Sequence, residues 1–198
     1  MDTKQLLMKS FGITSNVYEF CKEIEEELTP QFKEIERIME YNGAKILHSM
    51  QKNQLSDTHF AATTGYGYND LGSDLIEQIY ADVFRAEAGL VRPQLISGTH
   101  ALTVAFFGNL RPGDELLSVV GKPYDTLDSV IGIRPASGSL AEFGITYSQV
   151  DLNEDFSFNY EGIKNAITSK TKMVTIQRSK GYAYRPTLSV KGIGELVQ

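Results

Sequence analysis

Residues 113–124 read GDELLSVVGKPY. A Gly-Asp pair opens the stretch, an apolar run follows over 115–120, and Gly121-Lys122-Pro123 ends it. A short apolar run bounded by turn residues is the pattern of a buried strand. Similar runs lie at 88–91, 145–150 and 173–176. Helical spacing fills 99–108, 125–132 and 159–168 between them, and another helical pattern begins near Ser189. Strands alternating with helices predict an α/β fold, with a mostly parallel sheet covered by helices on both faces.

Toward the N-terminus the alternation stops. Val17, Phe20, Ile24 and Leu28 mark one helical face. Thr29-Pro30 reads as a fresh helix start, since Thr caps well and Pro suits the first helical position. Two packed helices are expected, so 1–58 forms an N-terminal helical segment and 59–198 the α/β part. Residues 59–73, HFAATTGYGYNDLGS, break the periodicity and predict an irregular loop around Gly65, Gly67 and Asn69. Ser73 is expected to cap the next helix, whose apolar face carries Ile76, Ile79, Tyr80, Val83 and Phe84. At the far end, Val190, Ile193, Leu196 and Val197 begin an amphipathic pattern that runs to Gln198. A parallel sheet rarely stops inside a crossover, so the chain is expected to be the N-terminal part of a longer polypeptide.

Composition narrows the function. Hydrophobic residues are 41% and charged residues 22%, an ordinary globular balance that excludes a disordered tail or a coiled-coil rod. The net charge is −6 and the acidity is spread along the chain. No basic face invites nucleic acid or an anionic membrane. The lone Cys21 cannot form an intrachain disulfide or a cysteine-based zinc site, and burial within its helix is expected. His48, His59 and His100 are widely spaced, and no metal site is expected. No run of 18 apolar residues occurs, and MDTKQLLMKSFG lacks the form of a secretory signal. The cytoplasm is the expected compartment.

Three polar segments follow strand positions. The first, RPQLISGTHA (92–101), opens a helix. Gly98 lets a ligand approach the backbone there, and the first-turn N–H groups attract an anion. The second, Gly121-Lys122-Pro123-Tyr124-Asp125-Thr126, follows the strand at 115–120 and offers a ring for a flat cofactor. The third, Gln177-Arg178-Ser179-Lys180-Gly181-Tyr182, follows the run at 173–176. Ligands of open α/β sheets gather at carboxyl ends of strands, so the three segments together predict one site.

The motifs TTGYGYNDLG, VRPQLISGTHAL, LRPGDELLSVVGKPYDTLDSVIG and VTIQRSKGYAYRP resemble the methionine gamma-lyase family of pyridoxal-phosphate enzymes. This is the branch labelled aluminium-resistance or cystathionine beta-lyase-like, and the resemblance covers nearly the whole chain. It implies the aspartate-aminotransferase fold (fold type I), a seven-stranded mostly parallel sheet, working as a dimer or larger homo-oligomer. On that basis 59–198 would be the first part of the large, pyridoxal-phosphate-binding domain.

The resemblance also implies residue roles. Ser97, Gly98 and Thr99 match the segment that holds the cofactor phosphate. Tyr124 matches the aromatic residue stacked on the pyridine ring and a candidate proton carrier, and Thr126 keeps the local spacing. Tyr66 and Tyr68 match a loop that reaches the phosphate across a dimer interface. Gln177 and Arg178 occupy the strand end facing substrate. The implied activity of the parent protein is carbon–sulfur bond cleavage in a sulfur amino acid of the cystathionine or methionine type. The lysine that bonds the cofactor and the acidic partner of its ring nitrogen lie on family strands beyond Gln198, so the 198-residue chain alone is expected to be inactive. The alternative from another class is a non-catalytic α/β domain that binds a phosphate ligand or a protein partner.

Overall fold

The computed structural model describes residues 2–64, 66, 68 and 70–198. Gly65, Gly67 and Asn69, at the centre of the expected loop, lie outside the described residues. The chain forms two compact units, Met1–Arg92 and Pro93–Gln198.

The first unit is helical. Helix α1 spans Thr3–Phe11; the Asp2 carboxylate caps it by accepting from the Gln5 N–H at 2.8 Å, and Gly12 ends it at φ 68°. Helix α2 runs without a break from Ser15–Lys52, capped by Thr14. The restart expected at Thr29-Pro30 is therefore corrected. Pro30 lies inside α2, and the Thr29 hydroxyl donates to the Glu25 carbonyl at 2.9 Å instead of capping a new helix. Local pairs support the long helix, among them Lys22–Glu25 at 2.7 Å and Arg37–Glu34 at 2.8 Å. Ser49 is its one buried residue, and Cys21 is exposed, contrary to the expected burial.

Helix α3 spans Leu71–Phe84. Its cap is Asp70, which accepts from the Ser73 N–H at 3.3 Å, so Ser73 is the donor within the first turn rather than the cap. Asp82 fixes α3 to α2: it accepts from Lys52 and from Asn53, each at 2.7 Å, and Ser49 donates to the Ile79 carbonyl at 3.3 Å. The strand expected at 88–91 is absent. Its backbone has no ladder partner; the Val91 N–H donates to the Glu77 carboxylate at 3.0 Å, and Arg92 holds Glu77 at 2.8 Å and Asp74 at 2.9 Å.

The second unit follows the expected alternation. Helix α4 (Gly98–Asn109) leads to β1 (Glu115–Ser118). A 3₁₀ turn (Asp125–Leu127) feeds α5 (Asp128–Ile131). Then come β2 (Thr146–Gln149), α6 (Tyr160–Ala166), β3 (Thr171–Thr175) and α7 (Val190–Leu196). The strands are all parallel in the order β2-β1-β3, with Leu116 level with Tyr147 and Met173. Successive residues of β1 face opposite ways, and both faces are covered. Leu116 packs in one cluster with Phe106 of α4 and Ile131 of α5. Leu117 packs in the other with Ile163 of α6 and Ile193 of α7. Both leucines are fully buried, so β1 is the spine of this unit.

Candidate functional site

The carboxyl end of β1 is built by backbone economy. The Ser118 hydroxyl donates to the Gly121 carbonyl at 2.6 Å, and the Gly121 N–H donates to the Val150 carbonyl at 2.9 Å. Gly121 sits at φ 81°, a left-handed turn that redirects the chain toward Tyr124. The Tyr124 N–H then donates to the Gln177 side-chain oxygen at 2.7 Å. This bond ties the loop after β1 to the segment after β3.

The first segment, 92–101, joins through hydroxyls. Ser97 caps α4 by accepting from the His100 N–H at 3.1 Å. The Gly98 and Thr99 N–H groups have no acceptor among the described residues. A Cβ added at Gly98 would meet nothing within 4 Å, so the backbone is open beside this residue. Thr99 Oγ1 donates to Thr126 Oγ1 at 2.9 Å, which fastens the α4 N-terminus to the turn bearing Tyr124. The three predicted segments therefore converge within the second unit.

These groups suit a phosphorylated flat ring. Two free N–H donors at the N-terminus of a 12-residue helix favour an anion, and two hydroxyls add polar contacts. The Tyr124 ring, partly exposed, offers a stacking face. Its phenol is held above the ordinary tyrosine range first by a hydrogen bond with Tyr182, then by charge interaction with it, burial and nearby Asp125. It therefore keeps its proton near neutral pH. Lys122 is engaged with Asp128 at 2.7 Å.

The other predicted residues fall elsewhere or behave differently. Tyr66 and Tyr68 belong to the first unit and are highly exposed. The Arg178 side chain is exposed and has no hydrogen-bond or charge partner among the described residues. The arginine that orders this segment is Arg185, which sequence reasoning missed. It donates to the carbonyls of Gln177 at 3.0 Å, Ser179 at 2.8 Å and Pro186 at 3.0 Å. Gly181 and Tyr182 belong to the third predicted segment, but no role was assigned to either. Gly181 has φ 54°, and the Tyr182 ring lies 6.1 Å from that of Tyr124. The one available signal was the glycine-aromatic pair in KGYAYRP. Among the described residues no group of three or more His, Cys, Asp and Glu could hold a metal ion. No described helix is long and apolar enough to cross a membrane.

A parallel α/β unit with a phosphate-suited helix end and an aromatic platform at one sheet edge has clear relatives. The methionine gamma-lyase family model matches residues 17–198, and the chain belongs to that family. The uncharacterized protein YnbB of Bacillus subtilis (strain 168) is 52% identical over 178 residues, covering 89% of this chain and 42% of YnbB. A carbon-sulfur lyase involved in aluminum resistance from Clostridium novyi NT aligns with TM-score 0.92 at 42% identity, over 100% of this chain and 47% of that one. A Listeria innocua protein, named as a candidate cystathionine beta-lyase involved in aluminum resistance, aligns with TM-score 0.89 at 47% identity, over 93% and 45%. The chain thus spans just under half the length of these relatives.

Proposed function

We propose that this chain is the cofactor-binding portion of a pyridoxal-phosphate-dependent carbon–sulfur lyase of fold type I, acting on a sulfur amino acid. The observation that carries the reading is the Thr99–Thr126 hydrogen bond, which joins an open anion-holding helix end to the turn that presents Tyr124. Ser97, Gly98 and Thr99 hold the phosphate through backbone N–H groups, with the paired hydroxyls of Thr99 and Thr126 beside them. Tyr124 backs the pyridine ring, and its protonated phenol can pass a proton at Oη. Gln177 positions the Tyr124 backbone, and Gln177 and Arg178 face the amino-acid substrate. When bound, pyridoxal phosphate supplies an electron sink that lets the bond to sulfur break. Tyr66 and Tyr68 contribute from a neighbouring copy in a cytoplasmic homo-oligomer.

The test is a calorimetric titration of the chain with pyridoxal phosphate and, separately, with inorganic phosphate. Thr126→Val should weaken pyridoxal phosphate about three- to tenfold, the range expected for one lost hydrogen bond. Tyr124→Ala should weaken pyridoxal phosphate and leave inorganic phosphate unchanged. Unchanged affinity in both variants would sink the reading. If pyridoxal phosphate binds no tighter than inorganic phosphate, a plain phosphate-binding domain is favoured instead.

A further inference from the structure

Beyond β3 the chain forms a short strap, residues 177–186, that returns over Tyr124. Arg185 closes it by donating to three of its carbonyls, and the Ala183 N–H to Lys180 carbonyl bond at 2.9 Å makes its tip a tight turn. Gly181 brings the backbone against the ring: a Cβ there would lie 3.1 Å from Tyr124 Cδ2 and 3.3 Å from Cε2. The next residue, Tyr182, is 88% exposed, yet its ring lies 6.1 Å from the Tyr124 ring at an interplanar angle of 30°. So exposed a ring gains little from burial; its hydrogen bond and ring contact with Tyr124 are what hold it in place.

Carbon atoms in contact sit about 3.5–4 Å apart, so a flat ring held between two others needs them about 7 Å apart or slightly more. The present pair is about 1 Å short of that, with its ring planes inclined at 30°. We propose that Tyr182 is the second wall of the site, a movable aromatic lid that clamps a flat heteroaromatic ligand against Tyr124. The Arg185-braced strap carries the lid, and Gly181 at positive φ lets it approach without a side chain in the way. The inference rests on the cofactor reading above and adds to it a residue and a motion.

The chain contains no tryptophan, so Tyr182→Trp places a single reporter on the lid. Its fluorescence should be quenched by pyridoxal phosphate and left unchanged by inorganic phosphate. In calorimetry, Tyr182→Ala should bind pyridoxal phosphate about three- to tenfold more weakly, the worth of one aromatic pair, while Tyr182→Phe binds like the parent. Inorganic phosphate affinity should be the same in all variants. If the parent binds pyridoxal phosphate and Tyr182→Ala binds it equally well or tighter, the lid is wrong and the cofactor reading stands. If no form binds pyridoxal phosphate, both fall.

Discussion

The two units reach their structure by opposite routes. In Pro93–Gln198 a four-residue strand is buried on both faces, and Leu116 and Leu117 have no exposed surface. In Met1–Arg92 a 38-residue helix buries only Ser49, while Val17, Phe20 and Ile35 stay more than half exposed. The sheet unit is held by contacts distant in sequence. Helix α2 is held by caps, neighbouring ion pairs and a polar seam to α3 through Asp82. The contrast shows where the proposed site gains its rigidity: the Tyr124 loop leaves β1, the most completely packed strand, and the other two segments are bonded to that loop.

Substitution on the two surfaces should differ sharply. Leu116→Ala removes a fully buried side chain between α4, α5 and the neighbouring strands, and should cost about 2–5 kcal/mol. Val17→Ala on α2 should stay within about 0.5 kcal/mol, as at other exposed positions. Urea unfolding of both variants checks the pair. A Val17→Ala cost above 1 kcal/mol would mean that another surface covers this face in solution, and sedimentation at rising concentration would show whether it is a second copy.

Pro30 offers the next largest effect. It removes one backbone donor from the middle of α2, and Thr29 turns its hydroxyl to the Glu25 carbonyl beside the gap. Pro30→Ala restores the donor and should stabilise the helix by about 1–3 kcal/mol. Thermal unfolding followed by helical circular dichroism measures it. A destabilised variant would show that Pro30 serves a contact outside α2 that outweighs the missing donor.

The same contrast explains what could be read in advance. The runs at 115–120, 145–150 and 173–176 all gave strands: β1 is buried on both faces, while β2 and β3 flank it with partly exposed residues and still pair with it along the ladder. The equally apolar run at 88–91 did not, since a strand also needs a neighbour to accept its hydrogen bonds, and Glu77 took that part. Thr29-Pro30 matches a helix start residue for residue, yet the energy of continuing a long helix outweighed it. In the site, Ser97, Gly98 and Thr99 were visible as the start of a helix and Tyr124 and Gln177 as turn residues after strands, and the structure joins the three segments by hydrogen bonds. The Thr99–Thr126 pairing, the Arg185 brace and the approach of Tyr182 were not visible. Each joins residues by distance in space, and no local pattern encodes it.

The smallest expected effects are those of pH, and they fall at opposite ends of the scale for the two units. Asp82 in the first unit is held below its ordinary value of 3.8 by hydrogen bonds from Lys52 and then Asn53. A depressed carboxyl pKa means that the folded state prefers the charged form. The stabilisation is complete above pH 3.8 and is lost as pH falls through the lower folded value. Tyr147 in the second unit is pushed up to about 12, chiefly by burial, with Asp151 and Asp128 adding to it and Ser118 opposing. Here the folded state prefers the neutral phenol. The stabilisation is complete below pH 10.0 and is lost as pH rises toward about 12. The α2–α3 seam should therefore weaken first in acid and the sheet unit first in alkali. Asp82→Asn should flatten the acid limb of a stability–pH curve, and Tyr147→Phe the alkaline limb, each leaving the other limb in place. An acid limb unchanged by Asp82→Asn, or an alkaline limb unchanged by Tyr147→Phe, would overturn the assignment of that limb to that group.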